Sequence, residues 1–432
     1  MKARWGSVVG ALLLLACGSV WADEPSMAAL KAEIDALRGR LNQLETRLAH
    51  SESAAPAAST GLGSVGLSGV QMSGFVDTTL GYNFNTPQTR TNTLRVFDTQ
   101  SQSFMLNNAE LNIEKPVSAD SPAGFKTSLM FGTDAEVVGG VTTGLGRTDN
   151  EFELKDAYAE YLAPIGEGLD VKVGKFATLH GAEVIESKDN WTVSRSLLFG
   201  YAIPFTHTGV RATYPWSKQF STTVGFDNGW DVVDDNNQGK TIETAFTFTP
   251  NDQMSLTTNY MLGPEQPVST AQPMAAGAFG SNSHWRHLID VVASYTPIAP
   301  LQLKANFDYG VEPKGVGIGE TASWVGLAGY ARYALTDDWA LALRTEWFHD
   351  ADGVRTAFRD VGTFGTGAIN GISGRNLNLW EFTLATEYKL NSHLISRLEY
   401  RHDGASEEIF RKNDIGQGSS QDTVALEFIA PF

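Results

Sequence analysis

From Val70 to the C-terminus, apolar and polar residues alternate in stretches of about ten, the length at which a tilted β-strand crosses a bilayer. Leu301, Leu303, Ala305, Phe307 and Tyr309 fall on one face, and Gln302, Lys304, Asn306 and Asp308 on the other. Phe220 to Asp227 and Thr423 to Phe428 repeat the pattern. It predicts sixteen strands, the first at Gln71–Phe84 and the last at Asp422–Phe432, an even number as a closed bacterial barrel requires. A soluble β-sandwich alternates in the same way, so the connections carry the distinction. Those after even-numbered strands are short, as at Pro215–Ser217, Pro250–Asp252 and Lys389–Ser392, and those after odd-numbered strands are long. Proline cannot donate to a strand ladder. Pro116, Pro122, Pro164, Pro215, Pro250, Pro297 and Pro300 fall at the short turns and only Pro431 touches a strand. Phe432 ends the last strand, a terminal aromatic that matches the signal for barrel insertion. The fold class is therefore all-β, a transmembrane antiparallel β-barrel of sixteen strands over residues 71–432.

A different pattern precedes it. Between Met27 and Ala49, Leu30, Ile34, Leu37, Leu41, Leu44 and Leu48 recur at spacings of four and three, an a/d seam. Residues 23–50 read as a short coiled-coil helix, too marginal alone to hold without partner helices, and a homotrimer follows. The alternative is a single helix packed at the barrel mouth. Residues 51–70, rich in Ser, Gly and Ala, form a flexible tether. Residues 1–22 read as a signal peptide: Lys2 and Arg4 precede an apolar run, Val8–Ala16, and Val20-Trp21-Ala22 makes a small-residue exit with cleavage after Ala22. Leu14-Leu15-Ala16-Cys17 also fits a lipoprotein processing site, which would leave Cys17 acylated. Cleavage after Ala22 would leave no thiol, since Cys17 is the single cysteine. Beyond this leader no run of roughly 18 apolar residues offers a membrane helix.

Charge narrows the partners. Of 32 basic residues, Lys2 and Arg4 leave with the signal peptide, so 30 face 49 acidic residues at a formal charge of −19, which argues against nucleic acid. Outer-membrane lipids, small hydrophilic solutes and ions remain. A barrel of this width leaves an aqueous channel, whose chemistry lies in what lines and narrows it. Taking the more polar face of each strand as inward puts Arg211, Lys304, Arg332, Arg344 and Arg397 on the lumen wall, with acidic residues such as Glu243, Glu346, Glu381, Glu399 and Glu427. Most of these charges are expected only to solvate the interior.

The third long connection, Ala177 to Phe205, is unusual for a loop in water. It mixes Glu183, Glu186, Lys188, Asp189 and Arg195 with apolar and aromatic residues. We read it as folding into the barrel as a pore constriction, with those five residues as its candidate functional set; the alternative is a loop capping the outside. Trp216, Trp339, Trp347, Tyr295, Tyr333 and Tyr388 near strand ends fit aromatic girdles. Catalysis finds no support: the eight histidines are scattered, and no G-x-S-x-G, H-E-x-x-H or phosphate-binding loop occurs. Asp231 to Asn237, with oxygen ligands but not calcium-loop spacing, reads as a solvated outer loop. No enzyme activity, cofactor or metal centre is expected.

The stretches SGFVDTTLGYNFNTP (Ser73 to Pro87), FMLNNAELNIEKP (Phe104 to Pro116), GKFATLHGAEVIESKDNWTVSRSLLFGYAIPFTHTGVRATYP (Gly174 to Pro215) and DNGWDVVDDNNQGKTIE (Asp227 to Glu243) resemble the OmpL-like β-barrel porins of bacterial outer membranes. The resemblance covers nearly all of the chain after Val70 and implies a porin-type barrel, without implying a substrate or site residues. The expected function is passive diffusion of small hydrophilic solutes or ions across the outer membrane. The alternative is a structural barrel whose coiled coil grips the cell wall or a periplasmic partner.

Overall fold

The computed structural model describes residues 68–139, 151–266, 282, 284–314, 320–358, 375–414 and 416–432. The predicted signal peptide, coiled-coil helix and nearly all of the tether lie outside them. The chain divides into two units, Met1–Ser68 and Gly69–Phe432, and the second is the barrel.

Its strands are β1 (Gln71–Asn83), β2 (Ser103–Lys115), β3 (Ala123–Phe131), β4 (Phe152–Ala163), β5 (Leu169–Ala177), β6 (Thr206–Pro215), β7 (Phe220–Asp227), β8 (Thr241–Asn251), β9 (Met254–Pro264), β10 (Trp285–Ile298), β11 (Leu301–Glu312), β12 (Ala322–Ala334), β13 (Trp339–Asp350), β14 (Leu377–Asn391) and β15 (Leu394–Ala405). A small hairpin, β16 (Phe410–Lys412) with β17 (Gly416–Gly418), precedes β18 (Ser420–Pro431). Apart from that hairpin every strand pairs antiparallel with its neighbours in sequence, and β18 closes onto β1, making a closed barrel of sixteen strands. The closing register runs from Phe75 opposite Pro431 to Asn83 opposite Thr423. At its end the Phe432 N–H donates to the Gly74 carbonyl at 2.9 Å and the Gly74 N–H to the Phe432 carbonyl at 3.0 Å. A side chain at position 74 would strike the Phe432 ring, its Cβ lying 2.5 Å from Cζ, so glycine leaves room for that seam.

Alternation becomes sidedness. On β13, Trp339, Leu341, Leu343 and Trp347 are exposed on the outer face while Ala340, Ala342, Arg344, Glu346 and Phe348 are buried. In water an exposed leucine face would be an aggregation surface; in a bilayer it faces hydrocarbon. Trp216, Trp339, Trp347, Tyr295, Tyr333 and Tyr388 are likewise exposed, and Trp339 stands opposite Tyr388 near the short turns. The strands reach further than the hydropathy pattern indicates. Pro215, Pro250 and Pro297 therefore lie within the last residues of β6, β8 and β10 rather than in turns, where frayed ends tolerate a missing donor.

Two bulges re-aim the inner face. In β2 the register slips where Asp77 faces Asn108 and Thr78 faces Leu106, so Asn107 and Asn108 are both buried. In β4 it slips where Ser128 faces Asp156 and Leu129 faces Leu154, so Lys155 and Asp156 both turn inward. An extra residue flips the phase of the side chains beyond it.

All the long connections leave from one end of the barrel. Several fold back into it, and Leu94, Val96, Phe97, Val137, Leu198, Phe199, Tyr201, Ile203 and Phe205 form an apolar cluster with the wall residues Trp324, Phe348 and Leu379. Because the outer face meets lipid, Leu343→Arg at mid-strand should destabilise the membrane-inserted barrel by about 2–4 kcal/mol. Denaturant titration of the protein refolded into liposomes measures it; an unchanged midpoint would show that this face does not meet hydrocarbon.

Candidate functional site

The connection from β5 to β6, residues 178–205, runs through the interior. Its ends are joined, Thr178 N–H to the Phe205 carbonyl at 2.9 Å. From there it reaches side chains on the far wall. The Ala182 N–H donates to Asn306 Oδ1 on β11 at 3.0 Å. Val193 N–H donates to Glu399 Oε2 on β15 at 2.7 Å, and Leu197 N–H to Glu346 Oε1 on β13 at 2.5 Å. Cations hold its carbonyls: Arg344 donates to Ser194 O at 2.6 Å, Arg397 to Ser187 O at 2.8 Å and Arg401 to Arg195 O at 2.5 Å. Trp324 Nε1 on β12 caps the Ala202 carbonyl at 3.1 Å. The segment thus spans the lumen from the β5–β6 wall to the β11–β15 wall.

Three of the loop's predicted residues take part in its anchorage, Glu183 and Arg195 buried and Glu186 half-buried. Glu183 pairs with Arg344 at 2.8 Å and accepts the Ser196 N–H at 2.7 Å. Burial pushes its carboxyl up, but Arg344 and the Ser196 hydrogen bonds prevail and hold it below the ordinary range. Glu186 pairs with Lys155, which also holds Glu110 at 2.8 Å. Burial acts upward here too, and the Lys155 ammonium overrides it, leaving the Glu186 carboxyl at about 2. Arg195 turns back on its own loop, donating to Val184 O at 3.1 Å, Ile185 O at 2.7 Å and Val193 O at 3.0 Å. The other two are in water: Lys188 and Asp189 pair with each other at 2.6 Å, their side chains 31% and 53% exposed. They sit at the loop's tip, Lys188 Nζ lying 6.0 Å from the Phe75 ring near the short-turn end.

The five predicted wall cations divide in the same way. Arg344 is fully buried between Glu183 and Glu381, the latter at 2.9 Å. Arg397 bridges Glu387 at 2.8 Å and Glu427 at 3.1 Å, and Arg211 pairs with Glu243 at 2.6 Å. Lys304 stands 4.5 Å from the Trp191 ring of the loop, and Arg332 pairs with Glu387 at 2.9 Å while 20% exposed. Toward the short turns the inward charges are partly hydrated: Lys126 and Lys172 are 27% and 29% exposed and each keeps a carboxylate partner.

Lys155 and Arg95 were not among the candidates. Lys155 was legible in principle, because FELKDAYAEY shifts its polar residues from one face to the other between Lys155 and Asp156, the signature of the bulge. Arg95, bonded to Asp403 at 2.6 Å, comes from the β1–β2 connection, and nothing local in the sequence places it there.

The model of the family described as "putative beta-barrel porin-2, OmpL-like" matches residues 69–432. No curated protein matches the chain. Among solved structures, an anion-selective porin from Comamonas acidovorans is 12% identical with a TM-score of 0.55, over 84% of this chain and 99% of that one. OprB of Pseudomonas putida is 13% identical with a TM-score of 0.55, over 87% and 96%. The trimer form of OmpT of Vibrio cholerae is 11% identical with a TM-score of 0.52, over 84% and 99%. At these identities the likeness is one of fold. Family and fold support a general outer-membrane porin role and point to a channel rather than an enzyme. The sixteen-stranded barrel, the inward loop and the match across residues 69–432 place the chain in the OmpL-like β-barrel porin family.

Proposed function

We propose that the protein is a passive diffusion channel for small hydrophilic solutes and ions, narrowed by residues 178–205. The observation that carries this reading is the loop's course across the interior, bonded to β11, β13 and β15 on the wall facing its root. Within the loop, Glu183, Glu186 and Arg195 hold its shape, while Lys188 and Asp189 meet the water path and bias ions by charge. A homotrimer is part of the proposal, supported by the leucine heptads at residues 30–48 and by the trimer form of the Vibrio cholerae protein. Delivery by a signal peptide of residues 1–22 completes it.

Planar-bilayer recording of the refolded protein tests the channel: ion conductance is expected, and its absence would overturn the reading. Asp189→Asn should shift the reversal potential toward anions and Lys188→Gln toward cations. Both should keep the channel open, since neither side chain holds the loop to the wall.

Removing the clamp should act differently. Lys155→Met leaves Glu110 and Glu186 without their shared cation and should lower the free energy of opening the loop by about 2–4 kcal/mol. Hydrogen exchange at the Val193 to Leu198 amides reads this, and unchanged protection would refute a clamping role. The pH dependence follows from Glu186. Its carboxyl titrates at about 2 in the folded protein against an ordinary 4.5, so the clamp is complete above 4.5 and is lost as pH falls toward 2. Current noise from loop motion should accordingly stay constant from pH 7 to about 5 and rise below about 4.5.

A further inference from the structure

We propose that His180, His207 and Glu243 form a binding site for one divalent transition-metal ion of the zinc class, at the root of the constriction loop. The three are 27 and 36 residues apart in sequence, yet each offers one donor atom and these lie within 4.8 Å of one another. Strand pairing brings them together. Thr178, bonded to Phe205, folds His180 back onto His207 at the start of β6. Along one row across the wall, Arg211 of β6 faces Gly225 of β7, which faces Glu243 of β8. A Cβ at position 225 would lie 2.4 Å from Glu243 Oε1, so glycine lets the carboxylate lean over β7 toward the histidines.

Two of the three candidate ligand atoms, His180 Nε2 and Glu243 Oε2, have no hydrogen-bond partner, and the third, His207 Nε2, faces only a threonine hydroxyl. His207 Nδ1 is 3.2 Å from the Gly229 carbonyl, which can only accept, so Nδ1 carries the proton and Nε2 presents its lone pair. This is how metal-bound imidazoles are oriented by an outer carbonyl. His180 Nδ1 lies 3.2 Å from Thr178 Oγ1, and its Nε2 has no hydrogen-bond partner although the residue is 2% exposed. Glu243 accepts Arg211 Nε through Oε1 at 2.6 Å, and its Oε2, fully buried, has no partner either. Thr178 Oγ1 lies 3.3 Å from His207 Nε2 and also accepts the His180 backbone N–H at 3.3 Å, so it can stay in place while its hydroxyl hydrogen turns away from Nε2. Two imidazoles and one carboxylate suit zinc, nickel or cobalt rather than calcium or magnesium. Ligand atoms on a tetrahedral ion with bonds of about 2.1 Å stand roughly 3.4 Å apart, so the widest edge closes by no more than about 1.4 Å. Among the described residues Arg211 is the cation that acts on the cluster, and Asp290 near His180 offsets it. A bound ion would cross-link loop, β6 and β8 and fix where the loop leaves the wall.

The test uses the full-length, untagged protein, folded in detergent and stripped with a chelator, and reads binding alone, so it is independent of conductance. Titration with Zn²⁺ followed by calorimetry should give one ion per chain, and His180→Gln should weaken it at least about tenfold. His393→Gln, at an exposed turn, should leave it unchanged. X-ray absorption at the zinc edge of the wild-type protein supplies a readout that needs no variant, with two imidazole nitrogens expected at about 2.0–2.1 Å. No saturable binding, binding insensitive to His180→Gln, or a shell of oxygens alone overturns the proposal.

Discussion

Closure of the backbone ladder is the constraint on which the rest depends. In hydrocarbon an unpaired N–H or C=O costs several kcal/mol, so an open sheet edge is excluded and β18 must find β1. The nine-residue register from Phe75 to Asn83 and the reciprocal bonds of Gly74 with Phe432 complete that circle. Once closed, the barrel sorts its side chains by parity. Leu341 and Leu343 go to lipid, and Arg344 and Glu346 to the interior.

The interior then has its own electrostatic constraint. Several charged groups lie within a few ångströms at the level of the loop, and each ion removed from water costs several kcal/mol unless paired. The structure meets this by chaining them: Arg344 with Glu183 and Glu381, Arg397 with Glu387 and Glu427, Lys155 with Glu110 and Glu186. The bulge in β4 is part of that solution, because a regular strand would have sent either Lys155 or Asp156 into lipid.

Much of the barrel was legible in the sequence because strand parity and turn length are local properties. The sixteen strands, the alternation of short turns and long loops, and the inward phase of residues such as Arg344 and Glu399 follow from reading every second position. The limits of the strands were less legible, since Pro215 and Pro250 signal a turn yet sit within the last ladder steps. The candidate site was legible as a segment, from its mixture of charges and aromatics, but composition does not say which charges anchor and which meet water. Glu186 and Asp189 look alike in sequence; only Lys155, 31 residues upstream and turned inward by a bulge, separates their environments. The His180, His207 and Glu243 cluster has no local spacing at all, being assembled by the loop and two strands, β6 and β8.

The loop itself poses the problem that barrel closure solves for the strands. Residues 178–205 hold only two short helical turns, Ser187–Asp189 and Leu198–Ala202, and irregular backbone at membrane depth is tolerated only when protein or a water-filled cavity satisfies it. Here the wall does so with carboxyl and guanidinium groups: Glu399 and Glu346 accept N–H groups from Val193, Ser194, Leu197 and Leu198, while Arg344, Arg397 and Arg401 donate to carbonyls between Ser187 and Arg195. The guanidinium hydrogen bonds are charge-assisted and roughly twice as strong as neutral ones, which is what a segment lacking its own ladder requires. Much of the charge on this wall is therefore spent on solvating a backbone, and its signs are set by whether an N–H or a C=O faces it. A count of lumen charges consequently overstates the field met by a passing ion, and the groups left to set that field are the partly hydrated ones: Lys126, Lys172 and Arg332 near the short turns, with Lys188 and Asp189 at the loop's tip.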